Sequence, residues 1–81
     1  MDTRIAVLSI IIQDDESIEK INTYIHECAP FVIGRMGIPY REKHMNIISR
    51  VLDAPQDTIS QLSGRIGRLS GVTTKVAYAK V

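Results

Sequence analysis

The chain has 81 residues and 9.1 kDa, enough for one small domain over 1–81 and no more. Its 44% hydrophobic and 23% charged content is ordinary globular usage, which excludes a disordered tail, a collagen-like repeat and a disulfide-knotted scaffold. Ten basic against nine acidic side chains leave a net charge of +1, so no overall basic field favours nucleic acid.

The first element is the apolar run 5–12, broken only by Ser9. It is far short of the roughly 20 residues that span a bilayer. Asp2 stands where a secretory leader needs basic charge, and Gln13-Asp14-Asp15-Glu16 follows where a small-residue cleavage site would stand. The run therefore reads as a strand over 3–12, with no membrane partner. Next, Ile18, Ile21, Ile25 and Cys28 recur at spacings of three, four and three, one apolar stripe of a helix. Asp14 or Asp15 can cap its start, where the helix dipole also favours acidic charge. Pro30 stops it, because the residue before a proline avoids helical backbone.

Residues 31–38 and 45–53 are rich in β-branched side chains and read as the second and third strands. A second helix opens at Asp53-Ala54-Pro55, with Pro55 in the first turn, where its missing N–H costs nothing. Its stripe is Ile59, Leu62, Ile66 and Leu69; Gly71 closes it, and Arg65 and Arg68 lie near its negative end. Residues 72–80 form the fourth strand. The two helical stripes are related by a shift of 41 residues, about half the chain. Two βαβ halves with right-handed crossovers interleave into a four-stranded antiparallel sheet with both helices on one face. The fold class is thus α+β, a ferredoxin-like βαββαβ sandwich.

In such a sandwich one sheet face stays open, and a wet face should be polar. The first strand is apolar on both sides, with Ile5, Val7 and Ile11 on one and Ala6, Leu8, Ile10 and Ile12 on the other. The third also spreads Ile47, Ile48, Val51 and Leu52 over both, with Arg50 and Asn46 as its water-facing residues. Either loops tuck over the open face, or copies of the chain pack through it as a dimer or tetramer. The second reading is favoured, since so small a domain gains little from its own core.

Chemistry concentrates at 34–44, where Gly34, Arg35, Gly37, Tyr40, Arg41, Lys43 and His44 gather. From Gly34 onward there are eight basic and three acidic residues, and before it two and six. The arginines and lysine can hold a phosphate or carboxylate, and the glycines admit close approach. A solvated hairpin whose charges guard an edge strand is the plainer alternative. The seven residues are the candidate effector site. His26 and Cys28, two apart on a helix, point in different directions and cannot share a metal from one face. Cys28 ends an apolar stripe and reads as a small buried hydrophobe, not a nucleophile. A lone thiol makes no internal disulfide, which points to a reducing cytoplasm. No nucleophile–base pair is suggested, so no catalytic residue, metal or cofactor is assigned. One Phe and three Tyr do not make the aromatic sheet of an RNA binder.

Thr3-Arg4-Ile5-Ala6-Val7, the block Val32-Ile33-Gly34-Arg35-Met36-Gly37-Ile38-Pro39-Tyr40-Arg41-Glu42-Lys43, Asp53-Ala54-Pro55, Leu62-Ser63-Gly64-Arg65-Ile66-Gly67 and Leu69-Ser70-Gly71-Val72 carry a resemblance over nearly the whole chain. They resemble the small regulators of the iron-only hydrogenase system. That family is similar to the C-terminal domain of the nickel-responsive repressor and to ACT-type regulatory domains. The resemblance implies a non-enzymatic regulator that assembles through its sheet and senses a small effector or metal at a subunit interface. The nickel repressor's DNA-binding ribbon has no counterpart before the first strand, so direct nucleic-acid binding by this chain alone is not implied. Its metal-ligand pattern is not matched by His26, Cys28 and His44. The alternative is a protein-interaction module that binds a maturation enzyme or a separate DNA-binding protein.

Overall fold

The computed structural model of the protein describes residues 2–80; Met1 and Val81, the ends of the domain expected over 1–81, lie outside them. The elements run β1 (Arg4–Ile12), α1 (Ile18–Glu27), β2 (Val32–Tyr40), β3 (Met45–Ala54), α2 (Gln56–Gly67) and β4 (Val72–Tyr78). The strands make one antiparallel sheet in the order β2-β3-β1-β4. This is the ferredoxin-like α+β sandwich that the helical and strand periodicities predict.

The period-2 alternation of β1 organises the core. Ala6, Leu8, Ile10 and Ile12 are at most 1% exposed, and pack with Ile21, Ile25, Ile59, Leu62 and Ile66 from the two helices. Each buried Ile or Leu is worth about 1.5–3 kcal/mol of transfer free energy. Ile18, Cys28 and Leu69, the remaining members of the helical stripes, are half-buried against the same cluster. Across the helix surface, the Arg65 guanidinium lies 3.9 Å over the Tyr24 ring and donates to Glu27 Oε1 at 3.0 Å, tying α2 to α1.

Several boundaries differ from expectation. Asp14 does cap the first helical segment, its carboxylate accepting from the Glu16 N–H at 3.0 Å, but a 3-10 turn over Asp15–Ser17 precedes α1. The α-helix ends at Glu27, and Pro30 sits inside a second 3-10 turn, Ala29–Phe31. Pro55 has extended backbone and caps α2 instead of lying in its first turn, because β3 continues to Ala54. Gly71 does not close α2, which ends at Gly67 with Arg68 as its cap. Gly71 takes a left-handed φ of +67° in the turn into β4, where its carbonyl accepts from the Gln13 N–H at 2.7 Å. Ser17 donates from Oγ to the Ser70 carbonyl at 2.7 Å, so the start of α1 and the turn before β4 are stitched together. β2 runs two residues past the expected end, so residues 34–40 are strand, and the turn to β3 shrinks to residues 41–44. His44 closes that turn in the left-handed region at φ +53°.

Candidate functional site

Strand register decides what each face of the sheet carries. Val7 lies opposite Val51, Ile11 opposite Ile47, and Ile47 in turn opposite Ile38. These side chains share the face away from the helices. Ile5, Val7 and Ile11 are 37–41% exposed there, and Met36, Ile38 and Tyr40 are 42–50% exposed. No described loop tucks over them, so the loop-cover reading fails. Arg50 and Asn46 are not the water-facing residues of β3. They pair with Leu8 and Ile12, both fully buried, and therefore lie on the helix side of the sheet.

β2 is an edge strand, and its register slips once. Val32 pairs with Leu52 but Gly34 pairs with Val51, which leaves Ile33 as an extra residue in a bulge. The slip inverts the alternation beyond it. Arg35 consequently stands on the helix side, directly opposite Arg50. α1 and the 3-10 turn after it present Asn22, Ile25, His26 and Ala29 towards the same side at near-helical spacing. Together with Val32, Ile33, Gly34 and the two arginines they line a cavity of about 500 Å³. A second cavity of about 660 Å³ opens at the far end of β2, lined by Asp15, Ile18, Pro39, Tyr40, Arg41, His44, Met45 and Asn46.

The seven expected site residues are therefore divided. Gly34 and Arg35 line the first cavity, and Tyr40, Arg41 and His44 line the second. Gly37 lies between them on β2, where an added Cβ would meet no atom within 4 Å. Lys43, in the turn, lines neither. The Tyr40 hydroxyl donates to Glu42 Oε2 at 3.2 Å. Asn22, His26 and Arg50 are additions that sequence reasoning did not assign to the site. Arg50 donates from one terminal nitrogen to the Met36 and Ser49 carbonyls, at 3.3 and 3.0 Å. Partial burial lowers its pKa, and the neighbouring Arg35 charge lowers it further. Among the described residues neither Arg35 nor Arg50 forms an ion pair, and no three His, Cys, Asp or Glu side chains gather as a metal set.

Cys28 caps the C-terminal end of α1 and packs against the core. Burial pushes its thiol up, Glu27 adds to this, and Arg65 opposes it. Only the thiolate is a good nucleophile. Iodoacetamide is therefore expected to modify folded Cys28 several-fold more slowly than the urea-unfolded chain near pH 8. The sign for stability follows: the unfolded thiol ionises first, so this contribution holds below the unfolded pKa and is lost as pH rises through the folded one. Equal modification rates in the two states would show the thiol to be open.

The chain matches the family model described as "TM1266-like: Iron-only hydrogenase system regulator, putative" over residues 4–76. Its fold is similar to the structure of the uncharacterized protein TM1266 from Thermotoga maritima, at TM-score 0.93 and 34% identity, covering 98% of this chain and 100% of that one. The C-terminal domain of the MgtC protein from Mycobacterium tuberculosis is also similar, at TM-score 0.73 over 95% of this chain and 88% of that one, but at 9% identity it shares the fold alone. The comparison with curated proteins finds no match. Near-complete coverage by both the family model and the Thermotoga structure leads to one conclusion: the chain belongs to the TM1266-like family, the one described as "Iron-only hydrogenase system regulator, putative".

Proposed function

We propose that this chain is a non-enzymatic, cytoplasmic regulatory module of the iron-only hydrogenase system, a single domain that works as a homo-oligomer packed through the open sheet face. The carrying observation is that face itself, where Ile5, Val7, Ile11, Met36, Ile38 and Tyr40 are each 37–50% exposed. Four strands about 4.8 Å apart and about 25–30 Å long present on the order of 600 Å² of flat sheet, close to the ~800 Å² each partner contributes to a standard interface. Small polar residues, Ser9, Ser49 and Thr73, interrupt the apolar ones, and charge is confined to Asp53 and Lys75. Such a surface suits a second copy of itself, since a two-fold axis places the same patch on both sides. A small effector held between α1 and β2, with Arg35 as its anchor, would make the assembly responsive.

Sedimentation velocity across a range of concentrations tests this reading. A dimer or tetramer is expected. A folded monomer at every concentration would overturn it. The same face would then belong to a different protein, a reading that the edge position of β2 and the 63% exposure of Ile33 also favour.

A further inference from the structure

We propose that the cleft between Arg35, Arg50 and α1 binds a small organic anion, a carboxylate or phosphate head carried on a compact apolar body. This deepens the regulatory reading, on which it rests only for regarding the ligand as an effector. The cleft is built within one chain and on the helix side of the sheet, away from the face assigned to assembly.

Two arginines directly opposite each other on antiparallel strands are about 5 Å apart at Cβ, and like charges so placed destabilise a sheet. Among the described residues no carboxylate relieves the pair, and Arg50 reaches only the neutral Met36 and Ser49 carbonyls. No carboxylate lines the cavity, and the ion pair among the described residues, Arg65 to Glu27, lies elsewhere. Partial burial of Arg50 sharpens the repulsion, because water screens it less. The bulge at Ile33 is what aims Arg35 into the cleft; without it Arg35 would stand on the open face. A guanidinium pair with Asn22 and His26 beside it offers several convergent donors, the pattern that recognises an oxyanion. Ile25, Ala29 and Val32 supply an apolar wall beside the donors. A volume of about 500 Å³ exceeds what a bare inorganic ion needs and falls in the range of small-molecule sites.

The test is an amide-resolved NMR titration of the intact protein with isovalerate, isobutyl phosphate and inorganic phosphate, and with neutral isovaleramide as the uncharged match. Saturable shifts are expected along residues 22–35 and at Arg50 with one or both organic anions, which also identifies the preferred head. Arg50→Met keeps the aliphatic stem, and its binding is expected to weaken by about 10–100-fold, the worth of charged hydrogen bonds. Its melting temperature is expected to equal or exceed that of the wild type, because the arginine repulsion is gone. Should Arg50→Met not fold, Arg35→Gln on the exposed edge strand carries the same readout. Absence of shifts with all three anions, equal binding of isovaleramide, or shifts untouched by these substitutions would each overturn the assignment. Saturation by inorganic phosphate alone would overturn the apolar body. A monomer in sedimentation would remove the oligomer and leave this titration intact, so the two readings fail separately.

Discussion

Gly71→Val is expected to destabilise the protein by about 3 kcal/mol or more, the largest loss that a single small substitution outside the core should cause. Two costs combine. The backbone there has φ +67°, which a β-branched residue adopts only with strain. A Cβ at this position would also stand 2.6 Å from the Asp14 Cβ and 2.9 Å from the Asp14 nitrogen. Those are atoms of a fixed turn, not the end of a flexible side chain, so the clash moves backbone. What moves is the joint that starts α1. Asp14 caps the 3-10 turn there, the Gln13 N–H bonds to the Gly71 carbonyl, and Ser17, a buried polar residue, donates to the Ser70 carbonyl. For a domain whose whole stability is of the order of 5–15 kcal/mol, this lowers the urea midpoint and melting temperature sharply. Gly37→Ala is the control. Its Cβ meets nothing within 4 Å, and its change is expected to stay within about 0.5 kcal/mol. A Gly71→Val protein as stable as that control would show the turn to be far more pliable than its contacts imply.

The same joint marks how far the sequence is legible. A glycine after an amphipathic stripe reads as a helix stop, and Gly71 follows Leu69 closely enough to invite that reading. Leu69 keeps its apolar partner in the core, but it does so from the turn after the helix, since α2 has already ended at Gly67. Periodicity reports which side chains are buried and not which backbone carries them. The fold itself is strongly encoded, because β1 alternates over nine residues and each helix repeats its stripe for three turns. The candidate site is encoded weakly. Its placement depends on one extra residue, Ile33, and a β-bulge leaves no composition signal in a run such as Val32-Ile33-Gly34-Arg35. Simple alternation puts Arg35 on the open face and leaves Arg50 among residues meant for water. Only the paired register brings the two arginines together, and only the packed helix adds Asn22 and His26.

Val7→Glu is expected to lower self-association by about 1,000-fold or more while leaving the isolated fold nearly intact. Val7 lies mid-strand on the open face, between Val51 on β3 and Ala77 on β4. It is 37% exposed in a single chain, so a glutamate there can reach water, and the cost to folding is the lower strand propensity of Glu, under about 1 kcal/mol. In a two-fold assembly the same substitution occurs on both copies and buries two carboxylates whose directly opposite neighbours, Val51 and Ala77, are apolar, with only the diagonal Lys75 in reach. A buried charge left without its partner costs roughly 3–5 kcal/mol. Sedimentation should then give a monomer at concentrations where the parent protein is associated. Acid supplies a sign check that steric damage would not mimic. Burial at the interface raises the glutamate pKa above its free value of about 4.3, so association should recover as pH falls through the raised pKa and be lost again as pH rises. Val7→Gln has the same size and no charge, and should associate more tightly than Val7→Glu at neutral pH and no differently in acid. If Val7→Glu assembles as well as the parent at neutral pH, the open face is not where the copies meet.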